Sequence, residues 1–371
     1  MISVHRPGER LPRHHLMLWL ALGLIASTAV PAGATGGSQI VSNEAFLQGS
    51  YVEVGVRANG AFGAAGDVPT VDVTFHPQQG NKLGFVVDRD KDGWDTGPID
   101  GDFFVPGSPY EGWGLGVGAN TAFNTDGGTG IAGSLGSLDT SGGVQSVTWT
   151  ADAAYQGVTV SQVYEVPDAD QRLRMRVTLT NDTDAAIEDI YYSRGVDPDN
   201  TNDANTFAST NTVVAQPGDG GAAVVQAVFS EGAQFALFSS DSRARAARST
   251  SGFPRTYTIE DAWTGSSQFA TEVGSSAEAD AGMNLTVNVG TLAAGASTTF
   301  TLSYLLSADA VEEAVSQASS TSSSSPAPEP APVANPSGTL PQETPGSTSG
   351  SVGTEGVPPT PSVPAPGIAA F

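Results

Sequence analysis

The sequence predicts an all-β protein: a large antiparallel β-sandwich, then a short helix, then a disordered tail. Three observations carry that reading. Short alternating or apolar runs recur from about residue 40 to 307, separated by Gly, Asn, Asp, Ser and Pro. Helical periodicity is almost absent before residue 308. From residue 319 onward Ser, Pro, Thr and Gly dominate, a composition with little to bury.

Residues 1–34 read as an export signal. Arg6, Arg10 and Arg13 make a basic start, Leu16 to Val30 an apolar run, and Ala32 to Ala34 a small-residue cleavage site. Gly23, Ser27 and Thr28 interrupt the run, which is shorter than the roughly 20 residues of a spanning helix. A signal peptide is therefore expected rather than an anchor. Without Arg6, Glu9, Arg10 and Arg13 the formal net charge moves from −24 to −26. A chain so acidic repels nucleic acid and anionic lipid, and it suits the outside of a cell. There is no cysteine, which removes disulfides, thiolate nucleophiles and zinc–thiolate sites. Only His76 lies beyond the signal, so a His-rich zinc site is excluded and a Ser–His–Asp triad would have to use it.

Residues 35–307 should form the sandwich. "YVEVGVR", "TVDVTFH", "LGFVV", "VQSVTWT", "GVTVSQVYEV", "RLRMRVTLT", "IYYS", "AAVVQAVF", "AQFALF", "RTYTI", "LTVNVGT" and "TTFTLSYLL" read as its strands. His76 then ends a strand on its polar face. The glycine-rich stretch from Gly112 to Gly143 reads as loops over the sandwich. "PDAD" and "NDTD" read as turns of two hairpins, because Asp and Asn side chains bond nearby backbone amides. This order of strands and acidic turns, over roughly residues 145–200, resembles the galactose-mutarotase-like supersandwiches of carbohydrate-active proteins. The resemblance implies a supersandwich-like fold and an association with carbohydrate.

Residues 308–318 read as the helix, with Ser307 as its N-cap, and 319–362 as a disordered spacer. Residues 363–371, "VPAPGIAAF", resemble the start of a PEP-CTERM-type sorting signal. Ala365 stands where that signal has Glu, and the membrane helix and basic residues of the family do not follow. A truncated signal and a chance match in a Pro-rich tail remain the two readings. The resemblance implies export by a Gram-negative bacterium, transient anchoring through the C-terminus and delivery to the cell surface.

The motif richest in chemistry is "DRDKDGWD" at residues 88–95. Asp88, Asp90 and Asp92 alternate before Gly93, and Asp95 follows. It resembles the D-x-D-x-D-G calcium loops of EF-hands, dockerins and thrombospondin-type repeats. Alternate carboxylates converge as the chain curls, and glycine allows the sharp turn. Ile99 occupies the twelfth position, where an EF-hand needs a bidentate Glu. Asp100 and Asp102 offer further oxygens, and calcium is the expected cofactor. The competing reading is a solvated acidic turn neutralised by Arg89 and Lys91. A second acidic stretch holds Asp197, Asp199, Asn200, Asn202 and Asp203, either as turn-capping side chains or as another cation site. Arg194 is placed to pair with Asp197 or Asp199.

Trp94, Tyr110, Trp113 and Trp263 lie in Gly-rich stretches beside carboxylates, which is how sugar-binding surfaces stack pyranose rings. Plugging the ends of a sandwich is the alternative role. Glu111, Glu165 and Asp189 are candidate glycosidase carboxylates, unranked without geometry. Arg172, Arg174 and Arg176 line one face of a strand and should pair with neighbouring acids. The arginines of "RARAAR" from Arg243 to Arg248 read as counter-charges in an acidic protein. The expected protein is a secreted, surface-associated, non-catalytic β-sandwich that binds glycan or matrix. A secreted glycosidase or epimerase-like enzyme and a purely structural coat component are the alternatives.

Overall fold

A computed structural model describes residues 37–322, apart from 72, 95, 96, 98, 106–109 and 203–206. The expected export signal (1–34), the part of the expected spacer beyond residue 322 and the expected sorting region (363–371) lie outside the described residues. Strands β1 (Gln39–Val41), β2 (Glu44–Gln48), β3 (Val52–Val56), β4 (Phe85–Asp88) and β5 (Ile99–Asp102) form a five-stranded sheet in that order. β6 (Glu111–Val117), β7 (Asn120–Thr125), β8 (Gly128–Thr129), β9 (Gly133–Asp139), β10 (Val144–Ala151) and β11 (Val158–Pro167) follow. Next come β12 (Arg172–Asn181), β13 (Ile187–Val196), β14 (Ser209–Ala215), β15 (Ala223–Val228), β16 (Gln234–Ser239) and β17 (Ala244–Ser249). β18 (Phe269–Ala270), β19 (Ser276–Ala279), β20 (Met283–Leu292) and β21 (Ser297–Leu305) complete them. Three helices interrupt or follow: α1 (Pro217–Gly220), α2 (Ile259–Thr264) and α3 (Ala308–Ser322).

The two larger antiparallel sheets run β19-β14-β15-β16-β21-β12-β11-β10-β9 and β18-β17-β20-β13-β6-β7-β8. Their inner faces meet. Trp113 of β6 lies 5.2 Å from Trp149 of β10, and Tyr192 of β13 lies 5.4 Å from Phe300 of β21. The five-stranded sheet covers another part of the nine-stranded one, with Phe85 5.2 Å from Tyr304. All three share one apolar core. Period-two alternation explains this on β12, where Leu173, Met175, Val177 and Leu179 are fully buried. Its other face carries Arg176, paired with Glu165 at 2.9 Å, and Thr178 facing Thr299 at 2.9 Å. Helix α3 packs Ala310, Val311 and Ala314 on the outside of the same sheet, against Val224, Ala236 and Leu305. Ser307 caps it by accepting the Ala310 N–H at 3.2 Å, and the helix runs past residue 318 to Ser322. Among the described residues no helix is long and apolar enough to cross a membrane.

Four expectations are corrected. The Gly112–Gly143 stretch forms β6 to β9, because its glycines occupy the outer positions of a strand whose inner positions are Trp113, Leu115 and Val117. The described part of "TVDVTFH" is not a strand: Phe75 turns into a cluster with Phe46, and His76 meets the buried Glu53 carboxylate at 2.8 Å. "RTYTI" leads instead into α2. "NDTD" is no hairpin turn, since β12 and β13 belong to different sheets. Asn181 braces that crossing by donating to the carbonyls of Ala185, Leu292 and Ala293.

At the centre lies a charged pair. Arg194 and Glu111 are fully buried, and the guanidinium grips the carboxylate through Nε at 2.8 Å and Nη2 at 2.9 Å. Glu111 also accepts from the Tyr304 hydroxyl at 2.7 Å and from the Phe62 N–H at 2.6 Å. Arg194 also donates to Gln162 Oε1 at 3.0 Å and lies 4.5 Å from the centre of the Phe62 ring. The expected pairing of Arg194 with Asp197 or Asp199 gives way, because position 194 shares the inward face of β13 with Tyr192 and Val196. Removing one partner leaves the other charge buried and unpaired, at a cost of about 3–5 kcal/mol. Arg194→Met should lose that much in urea denaturation, and Arg194→Met with Glu111→Leu should lose less than the two single losses added together. Additive losses would show that the pair is not coupled.

Asp102, expected among the calcium oxygens, is fully buried and committed elsewhere. Its carboxylate accepts from the backbone N–H groups of Gly84, Phe85, Phe104 and Val105 at 2.7–3.2 Å. Burial nevertheless pushes its pKa up to about 6, the amides only partly offsetting it. The folded chain then holds a proton that the unfolded chain releases between about pH 4 and 6, so ionising Asp102 lowers stability as pH rises through that window. The stability gap between wild type and Asp102→Asn should shrink by roughly 2–3 kcal/mol from pH 4 to 7. A pH-independent gap would show that Asp102 stays ionised throughout.

Candidate functional site

The octet winds into a turn after β4. Asp88 is 1% exposed, and its Oδ2 accepts the Gly93 N–H at 2.8 Å. Positive φ at Lys91 (57°) and Gly93 (107°) carries the chain round. Asp90 and Asp92 are exposed, and Asp100 is buried against Arg89, which donates to its carboxylate. Burial raises the Asp100 pKa while Arg89 lowers it. Asp95 lies outside the described residues. Among the described residues, the octet's carboxylates are not the group that brings three ligand oxygens within 4.8 Å of one another. Trp94 is half-buried, donates from Nε1 to Gly49 O at 3.1 Å and stacks on His76 at 5.0 Å. That contact fastens the turn to the five-stranded sheet.

The other three rings separate by depth. Trp113 is 1% exposed, lies between Trp149 and Tyr192 and donates to Asn59 O. Tyr110 is 2% exposed, with the Arg255 guanidinium 5.3 Å over its ring. The expectation of exposed, sugar-stacking rings fails for both: Trp113 lies on the inward face of β6, and Tyr110 is covered by Phe253 and Arg255. Trp263 is different. It is half-buried on α2 and lines an open cleft of about 550 Å³ with Arg245, Glu272 and the exposed Val273.

Local sequence explains how α2 presents this ring. Glycines 112, 114 and 116 alternate along β6, so that strand offers a shallow outer surface. Ile259 sits there: a Cβ on Gly114 would meet Ile259 Cδ1 at 2.9 Å and the Phe123 ring at 2.6 Å. With Ile259 and Ala262 buried, Glu260 and Trp263 are left on the outer side of the helix. Gly265, in the left-handed region at φ 77°, ends the helix and returns its N–H to Asp261 O. Trp263 is held by a bond from Nε1 to Arg243 O at 3.0 Å, with the Arg245 guanidinium 4.6 Å over its ring.

A second cleft of about 290 Å³ is lined by Asp189, Tyr191, Glu260, Thr121 and the backbone of Gly116 and Gly118. Asp189 stands in a bulge of β13 with φ 55°, which swings its exposed carboxylate beside the cleft. Burial, then the Glu260 and Asp189 charges, raise the Tyr191 pKa, so its hydroxyl stays protonated. Tyr191 and Trp263 lie 6.3 Å apart at 62° and join the two clefts. Two carboxylates, a phenol, a guanidinium and an indole thus share one outer face, a donor and acceptor set suited to hydroxyl-rich ligands. Of the three candidate carboxylates, Glu111 is sealed in the core and Glu165 is paired with Arg176. Asp189 alone lies at a cleft. Sequence reading passed over Tyr191 and Glu260 and took Arg245 only as a counter-charge; the half-polar alternation of "IEDIYYS" was the available signal for Tyr191.

No family model and no curated protein matches the sequence. Solved structures that resemble it include a protein from Klebsiella pneumoniae assigned as an aldose 1-epimerase, with a TM-score of 0.30 at 10% identity. The alignment covers 50% of this chain and 56% of that one. A polysaccharide lyase aligns over 73% of this chain and 35% of its own, with a TM-score of 0.33 at 13% identity. A protein from the human microbiome assigned as a kojibiose phosphorylase aligns over 78% and 37%, with a TM-score of 0.34 at 9% identity. The chain spans about a third to just over half the length of these chains.

The glycine seat is testable. Gly114→Ala should cost about 1–3 kcal/mol and speed hydrogen exchange over residues 259–264, as the methyl levers α2 off the sheet. Gly116→Ala, whose nearest neighbour would be Ile259 at 3.7 Å, should be tolerated. Equal tolerance of both would remove the close approach as the reason for these glycines.

Proposed function

We propose that the protein is an exported, non-catalytic β-sandwich that binds extracellular glycan across the outer face of its seven-stranded sheet. The observation that carries this is the pair of clefts joined by Tyr191 and Trp263. The rings offer apolar contact, while Asp189, Glu260 and Arg245 can hold sugar hydroxyls in orientation. The export signal, the acidity and the Pro/Ser/Thr-rich spacer support a role at a cell surface or in a matrix.

A specific observation also favours a second reading: Asp189 and Glu260 share one cleft, and paired carboxylates across a sugar bond are what glycosidases use. The two readings part in experiment. A glycan array followed by calorimetry should find ligands whose affinity falls at least about tenfold in Trp263→Ala and Tyr191→Ala. Asp189→Asn should weaken binding without abolishing any turnover, because none is expected. Release of reducing sugar from a polysaccharide panel, lost in both Asp189→Asn and Glu260→Gln, would replace binding with catalysis. Silence in both assays would leave a structural coat component.

A further inference from the structure

Three carboxylates away from the clefts meet at one end of the seven-stranded sheet. Asp197 and Asp199 follow β13, and Asp280 precedes β20, the strand paired with it through Val196 opposite Met283. One oxygen from each lies within 4.8 Å of the others. Asp197 and Asp199 are 2% and 3% exposed, whereas Asp280 is exposed and opens the group to solvent. Like charges do not gather out of water without a reason.

The stronger observation concerns Asp197 alone. Neither of its buried carboxylate oxygens has a hydrogen-bond partner among the described residues. Ionised, it has no donor; protonated, it has no acceptor for its proton. Its backbone is fully engaged, with N–H donated to Tyr110 O at 2.8 Å, so the side chain is held in place. The cation that acts on it, Arg255, donates to Asp126 at 3.3 and 3.4 Å and lies over the rings of Tyr110 and Phe253. Burial, and after it the charges of Asp199 and Asp280, push the Asp197 pKa up to about 9 against that attraction. A divalent cation would satisfy both oxygens and reverse the repulsion at once.

We propose that Asp197, Asp199 and Asp280 form a calcium site. The donors are all hard oxygens, which suits calcium or magnesium and not the softer metals. The crowding of carboxylates favours calcium, which accepts irregular shells of six to eight oxygens, over magnesium, which demands near-ideal octahedral geometry and keeps several of its waters. Backbone carbonyls and water complete the shell that calcium prefers. The ion would tie the exit of β13 to the entry of β20. The loop it holds also reaches the five-stranded sheet, where Asn200 donates to Asp100 O at 2.9 Å and Thr201 accepts the Asp102 N–H at 2.8 Å. Calcium would therefore lock two sheets together.

The test uses the full chain, stripped with chelator and titrated with calcium chloride in a calorimeter and in thermal melts. Binding with a Kd on the order of 0.1–1 mM and a rise in Tm of about 2–5 °C at saturation is expected. Asp197→Asn should abolish the calcium-dependent rise while leaving the calcium-free Tm close to that of the wild type, because the amide keeps the carboxyl's shape and cannot act as an anionic ligand. Asp280→Asn, at an exposed position that cannot compromise folding, should weaken calcium binding at least about tenfold. Asp92→Asn in the octet should leave it unchanged. No heat and no shift in the wild type would overturn the proposal. So would a shift that survives both Asp197→Asn and Asp280→Asn, which would place the ion elsewhere. Tighter binding of magnesium than calcium would overturn the choice of ion.

Discussion

Arg194 and Glu111 hold the three sheets to one arrangement. Both sit on inward positions of neighbouring strands in the seven-stranded sheet, out of contact with water. Tyr304 and Gln162 reach them from the nine-stranded sheet, and the Phe62 N–H reaches them from the chain between β3 and β4. A buried charge tolerates no slack, because each missing hydrogen bond would be replaced by nothing. The apolar core could accept small shifts of register. This network cannot, and so it selects one docking of sheets that apolar contact alone would leave approximate.

That choice has a consequence for function. The interior between the sheets is filled by stacked and edge-to-face rings and by the ion pair, from Trp113 and Trp149 through Tyr192 to Phe62 and Tyr304. With the inside sealed, recognition falls to the outer faces. The nine-stranded sheet gives part of its outer face to α3 and lines the rest with paired arginines and hydroxyls. The seven-stranded sheet instead carries α2 on a strip of glycine, with clefts around it. The same absence of side chains on β6 that lets the helix approach also leaves the smaller cleft a backbone floor at Gly116 and Gly118.

The acidic segments show where local reading succeeds and where it stops. "DRDKDGWD" advertised a cation by spacing, yet Asp88 serves its own turn and Asp100 serves Arg89. "DPDNTND" has a plainer pattern, and two of its acids are nevertheless buried beside a third from 81 residues further on, Asp280 after Asp199. Trp113 and Trp263 make the same point. Each lies among glycines in sequence, but the glycines next to Trp113 are the outer face of a strand, while Gly265 beside Trp263 ends a surface helix.

What the sequence determined by itself was whatever depends on neighbours along the chain. Alternation on β10 to β12, the acidic turn between β11 and β12, the Ser307 cap and the all-β class were all legible, because period, turn and cap are set within a few residues. The tertiary structure decided what depends on distant partners: Arg194 with Glu111 rather than Asp197, Asn181 bracing a crossing between sheets, and Asp189 rather than Glu165 beside a cleft. The physical reason is that burial and charge pairing are properties of packed surfaces. A strand records which residues share a face, but only the sheet laid against that face decides whether they meet water, a partner or a ligand.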